Sequence, residues 1–306
     1  MSTLTQTVPG PTGGRTPVPS IDAPSRSRAV RNQLATVAVW VAFALAVIPL
    51  VWILWTVVSK GYGLLLDAGW WQNSQRGITV RREGGGAYHA ILGTIEQALV
   101  CAAISVPIGI FTAIYLVEYG RGKFARVVSF MVDILTGVPS IVAALFVYAL
   151  WLTTFGFERV GFAVSLALVL LMIPVIVRST EEMLKLVPNE LREASYALGV
   201  PKWKTLARIV LPTAFSGIVT GVMLGLARVM GETAPLLILG PYSKSINANL
   251  FSGNMAALPT MIDQDRREFL QPAVDRTWSA ALTLILLIMV LNIGARIMAR
   301  FNKVHR

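Results

Sequence analysis

Charge is what this sequence has least of. Asp, Glu, Lys and Arg make up 14% of its 306 residues, against about 25% in soluble domains. So few charges cannot cover the surface of a chain this long in water. Cysteine is nearly absent: Cys101 has no second thiol to pair with, which excludes a secreted disulfide scaffold. No G-x4-G-K-[ST] run occurs, so the chain cannot hold ATP in the way a P-loop ATPase does. Nor do the basic residues gather beside stacking aromatics, the pattern a nucleic-acid binder needs. The N-terminal stretch lacks the apolar core and small-residue cleavage site of a signal peptide. Rich in Pro, Gly, Ser and Thr, it reads as a disordered tail over residues 1–32. What remains is apolar, with 55% hydrophobic residues and a mean hydropathy of +0.64. These are the marks of a membrane protein.

From Gln33 to Val58 there is no charged residue, and a crossing helix needs about 20 such positions. Further apolar runs cover Ala87–Val117, Phe124–Trp151, Val160–Val177, Ile209–Leu239 and Thr277–Met298. The third and fifth are long enough to tilt or to begin as surface helices. An all-α membrane protein with six transmembrane helices is therefore expected over residues 33–300, followed by a tail at 301–306. Pro49, Pro107, Pro139, Pro174 and Pro235 fall inside these runs. Each removes a backbone donor and kinks its helix, as bundle packing tolerates or as a hinge requires.

Lys and Arg set the direction of insertion. Seventeen lie in the N-terminal tail, the Gly120–Arg126 turn, the Arg178–Arg208 segment and the C-terminus, and nine in the alternate connections. The richer set should face the cytoplasm, with both termini. Most of the net charge of +11 is thus topology, although Arg76, Arg81 and Arg82 run against the bias.

The segment 178–208 is polar and amphipathic. Asn189 is a good N-cap for a short helix over Glu190–Leu198, Gly199 suits the left-handed residue after it, and Pro201 can open the next helix. Ala194, Ser195 and Ala197 are small enough to let a partner surface approach. Trp203 between Lys202 and Lys204 reads as an interfacial anchor. Glu193-Ala194-Ser195, three residues, Gly199, nine residues, then Ile209-Val210-Leu211-Pro212 resembles the EAA loop of ABC importer permeases, E-A-A-x3-G-x9-I-x-L-P. Only Ser195 departs from it. The resemblance implies that Glu193, Ala194, Ser195 and Gly199 form a coupling helix that docks on a separate ATPase.

The fifth run carries Arg228 and Glu232, four residues apart and so on one helix face. Charges at this depth are costly and face an interior or a cavity. Gly217, Gly221 and Gly225 form a small-residue stripe for close helix packing on nearly the same face. The pair reads either as a buried structural ion pair or as an arginine fork for an oxyanion with Glu232 positioning it. Glu96 and Asp133 read as interhelical hydrogen-bonding groups, since a carboxylate repels an anion.

Arg228-Val-Met-Gly231-Glu232-Thr233-Ala234-Pro235-Leu236-Leu237 is similar to the A-R-x-x-G-E-T-A-P-L-L signature of PstA-type phosphate importer permeases. Thr136–Val142 and Gly84–Thr94 also look like that family. The resemblance implies a type I ABC importer permease of MetI-like fold in the bacterial inner membrane. It implies a PstC-type permease partner, two ABC ATPase copies holding ATP and Mg, an extracytoplasmic phosphate-binding protein, and inorganic phosphate as substrate. No cofactor, metal or catalytic residue is expected in the chain itself. It also implies translocation roles for Arg228, Glu232, Arg178 and Glu181, although Arg178 reads equally as a positive-inside anchor. The alternatives are an importer of molybdate, tungstate or sulfate, and a secondary transporter.

Overall fold

A computed structural model of the chain describes residues 26–301. The expected tails lie outside it up to residue 25 and from residue 302. Residues 26–32, assigned to the first tail from sequence, are already helical.

The described chain is built from helices: α1 Arg26–Leu65, α2 Ala68–Gln72, α3 Tyr88–Ile114, α4 Gly122–Gly137, α5 Ser140–Val147 and α6 Gly161–Lys185, then α7 Asn189–Ala197, α8 Lys202–Thr205, α9 Leu211–Met230, α10 Ala234–Leu239, α11 Leu258–Asp265 and α12 Gln271–Phe301. Wider π-helical turns prolong α3 over Tyr115–Tyr119 and α5 over Tyr148–Thr154, and join α8 to α9 over Leu206–Val210. The chain divides after Leu54 into two units. The first contributes the opening of α1, with Pro49 inside the helix. The rest belongs to the second.

Five helical rods are long and apolar enough to cross a membrane, and α4 with α5 passes the same test as a bent pair. The expected kink at Pro139 in the Phe124–Trp151 run is a full break, with a bend of 107°. Pro139 supplies no N–H, and it holds Val138 at φ −70°, ψ 125°, outside the helical region. Counted as one span, the pair makes the sixth. It starts beside α7, where Glu118 pairs with Arg192, and ends where Phe162 N–H donates to Leu250 O at the opposite end, 2.8 Å away.

The fifth expected run also differs. The helix from Lys202 stops at Met230 and restarts at Ala234, because Gly231 is a poor helix former and Pro235 can sit only in a first turn. The fourth extends eight residues past Val177, to Lys185. No breaker intervenes before Pro188, and Lys185 grips Glu181 one turn back at 2.7 Å.

Helix α6 is the axis of the second unit, with 67% of its apolar window buried, against 28% for α3 and for α9. Ala163, Ala167, Leu168, Met172 and Ile176 pack with Cys101 of α3, Ala144 of α5 and Val229 of α9. Several hydroxyls inside the rods are satisfied locally: Thr94, Thr136, Ser165, Thr220 and Thr283 each donate to the carbonyl four residues back. This is how polar side chains survive where water is scarce.

The 240–276 connection is not a plain loop. Thr94 Oγ1 accepts from Leu258 N at 2.8 Å, pinning the start of α11 to α3. Nearby, Arg276 and Asp265 are buried together, with Nε 3.4 Å from Oδ2. Gln75 donates to Asp265 at 3.0 Å, and Tyr242 donates to Gln75 at 2.8 Å. Burial, reinforced by Asp265, pushes the Tyr242 phenol well above its usual range, so it stays a donor.

Candidate functional site

Three sets of residues singled out from sequence lie on α7 and the turn after it, on the last turns of α6, and on α9 with the turn that follows it. At one end, α7 begins at Asn189, with Pro188 rather than Asn189 in the cap position and no side-chain cap bond. The turn after α7 depends on Gly199, whose φ of +74° suits a residue without Cβ. Pro201 occupies the position before α8 instead of opening it. Glu193, Ala194 and Ala197 are exposed on the outer face of α7. Ser195 is not among them. It is buried, and its hydroxyl meets that of Thr205 on α8 at 2.8 Å, so it locks the two short helices together rather than making room for a partner. Trp203 is 61% exposed, with Lys204 Nζ 5.4 Å from its ring centre.

The second set lies on the last turns of α6. Arg178 donates to Glu181 at 2.6 Å and to the Ser129 hydroxyl of α4 at 3.1 Å, and it pairs with Asp133. It is a clasp between α4 and α6. An open recess of about 550 Å³ between α3 and α9 is lined by apolar side chains, Val106, Ile110, Phe215 and Val222 among others, and offers no charged group to an anion. A second recess of about 420 Å³ touches Arg126, Ser129 and Glu181 and is more polar.

The third set is on α9. Gly217 and Gly221 face α6 so closely that an added Cβ would overlap Met183 and Ser179, while at Gly225 the nearest atoms of Met172 are at 3.5 Å. Arg228 follows on the last turn. Its Nε is 3.8 Å from Glu232 Oε1, beyond hydrogen-bond length. Glu232 lies past the end of the helix, where its own N–H closes on Val229 O at 3.2 Å. The pair therefore does not share a helix face, and it is not buried: the Arg228 side chain is 54% exposed. A loosely held, accessible guanidinium has donors to spare for an oxyanion. The three sets do not converge into one pocket. They are spread over α6, α7 and α9.

Sequence reasoning missed Glu118, Arg192 and Ser129. Their long-range partners are 49 to 84 positions away, as with Ser129–Arg178, Glu118–Arg192 and Glu118–Lys202, and no local periodicity signals such pairing. Asp133 was assigned to interhelical bonding, and it lies at such a contact. Glu96 has one carboxylate oxygen buried without a hydrogen-bond partner.

Apolar helices long enough to cross a membrane, with the short helices α7 and α8 between α6 and α9, set the frame for comparison with known proteins. The model of the family described as "Binding-protein-dependent transport system inner membrane component" matches residues 105–303. The chain belongs to this family, in its PstA-type branch. It is 54% identical over 91% of its length to "Phosphate transport system permease protein PstA 1" of Mycobacterium tuberculosis (strain H37Rv), covering 90% of that protein. It is 38% identical to the PstA permease of Pasteurella multocida (strain Pm70), over 88% of this chain and 95% of that one. Among solved structures, a bacterial alginate ABC transporter in complex with its alginate-bound periplasmic protein superposes with TM-score 0.57 at 15% identity, over 86% of this chain and 95% of that chain. An inward-facing MetNI methionine transporter gives 0.55 at 19%, over 71% and 94%. The fold is thus that of an ABC importer permease. This PstA-type permease is a multi-pass inner-membrane component, working with a binding protein, a second permease and an ATPase.

Proposed function

We propose that this permease is the transmembrane subunit of an ATP-driven inorganic phosphate importer, pairing with a PstC-type permease. The naming of relatives 54% identical over 91% of the chain as phosphate transport permeases carries this reading. Two ATPase copies hold the ATP and Mg and bind the outer face of α7 through Glu193, Ala194 and the turn at Gly199. Both termini and α7 face the cytoplasm, and the basic bias of those segments supports this direction.

Phosphate released by the binding protein enters between the two permeases. There Arg228 offsets part of the anion's lost hydration without gripping it, since passage requires release, and Glu232 steadies the guanidinium. The Arg178–Glu181 pair acts nearer the inner side by holding α4 against α6. ATP hydrolysis by the partner moves α7, and the packed helices rock from outward to inward access.

The test is uptake of radiolabelled phosphate by the complete complex in liposomes, with molybdate, tungstate and sulfate as competitors. ATP-dependent phosphate uptake that the other anions fail to displace is the expected result. Preferential uptake of another oxyanion would replace phosphate as the substrate, and uptake without the ATPase would make the chain a secondary transporter.

A further inference from the structure

Glu118 sits in the π-helical turn that ends the α3 rod, and its side chain is 7% exposed. Its Oε1 accepts two hydrogen bonds from Arg192 of α7, from Nε at 3.1 Å and Nη2 at 3.0 Å. Lys202 of α8 approaches the other oxygen at 3.9 Å, donates to the Glu118 carbonyl, and stands 4.6 Å from the Tyr119 ring centre. Arg192 meanwhile donates to Val187 O at 2.6 Å and Leu184 O at 2.9 Å, where α6 runs out. One carboxylate therefore joins the ends of α3 and α6 to both short helices.

The arrangement has two sides. Glu193, Ala194 and Ala197 are exposed on α7, while Arg192 turns the other way into the protein. A buried, hydrogen-bonded charge pair resists separation, because parting it strands two charges away from water. π-turns are rare, and those that occur are frequently at functional sites. Pushed from its exposed face, α7 thus pulls on the final turn of α3 through the stiffest contact available there.

We propose that Glu118 is a positioning residue for energy coupling: through Arg192 it converts displacement of α7 into displacement of the inner end of α3. This rests on the reading of α7 as the ATPase-docking helix of a phosphate importer.

The test uses the complete complex in liposomes, measuring phosphate moved per ATP hydrolysed together with the yield of assembled complex. Glu118→Gln keeps shape and an acceptor but removes the charge. It should lower phosphate per ATP about tenfold, a usual size for coupling between sites, with ATP hydrolysis and assembly retained. Combining it with Arg192→Gln should add no further loss, because both act through one link. Arg192→Lys keeps the charge and drops the two-pronged contact. It should lower the ratio less, and it decides the matter if Glu118→Gln fails to assemble. An unchanged ratio in the assembled variants, or losses that multiply in the double variant, overturns the proposal. Failure of the wild-type complex to import phosphate would instead overturn the functional reading beneath it.

Discussion

The hydroxyls of Ser195 and Thr205 face each other across 2.8 Å, buried where α7 meets α8. Among the described residues, the Thr205 hydroxyl has one other partner, the Pro201 carbonyl at 3.5 Å. Here the one departure from the E-A-A letters finds its use, since alanine would leave the Thr205 hydroxyl nearly orphaned.

Ser195→Ala should accordingly cost about 1–3 kcal/mol, the penalty of a buried unsatisfied polar group. Adding Thr205→Val should recover most of it, because two apolar partners need nothing from each other. Thermal unfolding of the purified complex checks both. A double variant weaker than the single one would show that the hydroxyl pair is not the relevant contact.

The glycine stripe makes a graded prediction. Gly221→Ala forces α9 off α6 against Ser179 and should cost about 1–3 kcal/mol as overpacking, whereas Gly225→Ala meets ordinary contact distances and should be nearly neutral. Equal melting temperatures for the two variants would contradict the packing described.

Within the α4–α6 clasp the partners are unequal. Asp133 is 62% exposed, so Asp133→Asn should cost under about 1 kcal/mol. Arg178→Ala strips Ser129, Asp133 and Glu181 of a common donor and should cost visibly more. Arg178→Lys should not restore it, since an ammonium lacks the fork that reaches all three. Comparative unfolding of the three variants is the measurement.

At the opposite end, Asp265→Asn leaves Arg276 charged and 2% exposed. A stranded buried charge costs about 3–5 kcal/mol, the largest loss expected of any variant named here. A melting temperature close to wild type would mean that water reaches Arg276.

Arg228→Gln should abolish phosphate uptake while the complex assembles normally, since its ion pair with Glu232 is loose, at 3.8 Å. Arg228→Lys should retain part of the uptake, keeping charge without the two-pronged geometry. Normal uptake by Arg228→Gln would remove the residue from the substrate path.

Much of this was legible in the sequence because it is local. Charge-free runs mark the rods, Gly199 marks a left-handed turn, and glycines four apart mark the face of α9 that meets α6. What was illegible depends on residues distant in the chain. Arg192 and Glu118 are 74 positions apart, and nothing near either one points to the other. Ser195 looked like a small residue at a docking face because its partner lies on the next helix. Glu232 was assigned to a helix face by counting, but Gly231 and Pro235 end the helix before it.

The bend at Pro139 has a consequence in distances. α4 has 16 residues, and α5 with its π-turn has 15, so the limbs are about 24 and 22 Å long. Bent by 107° away from straight, they span about 28 Å from end to end, close to the hydrocarbon thickness of about 30 Å. The tip, with Gly137 and Pro139 exposed, then stands about 19 Å off the direct line, nearly two helix diameters. Such a shape is a lever: turning one limb by about 10° at the tip carries its far end through about 4 Å. The far end of α4 is Gly122, four residues from Glu118.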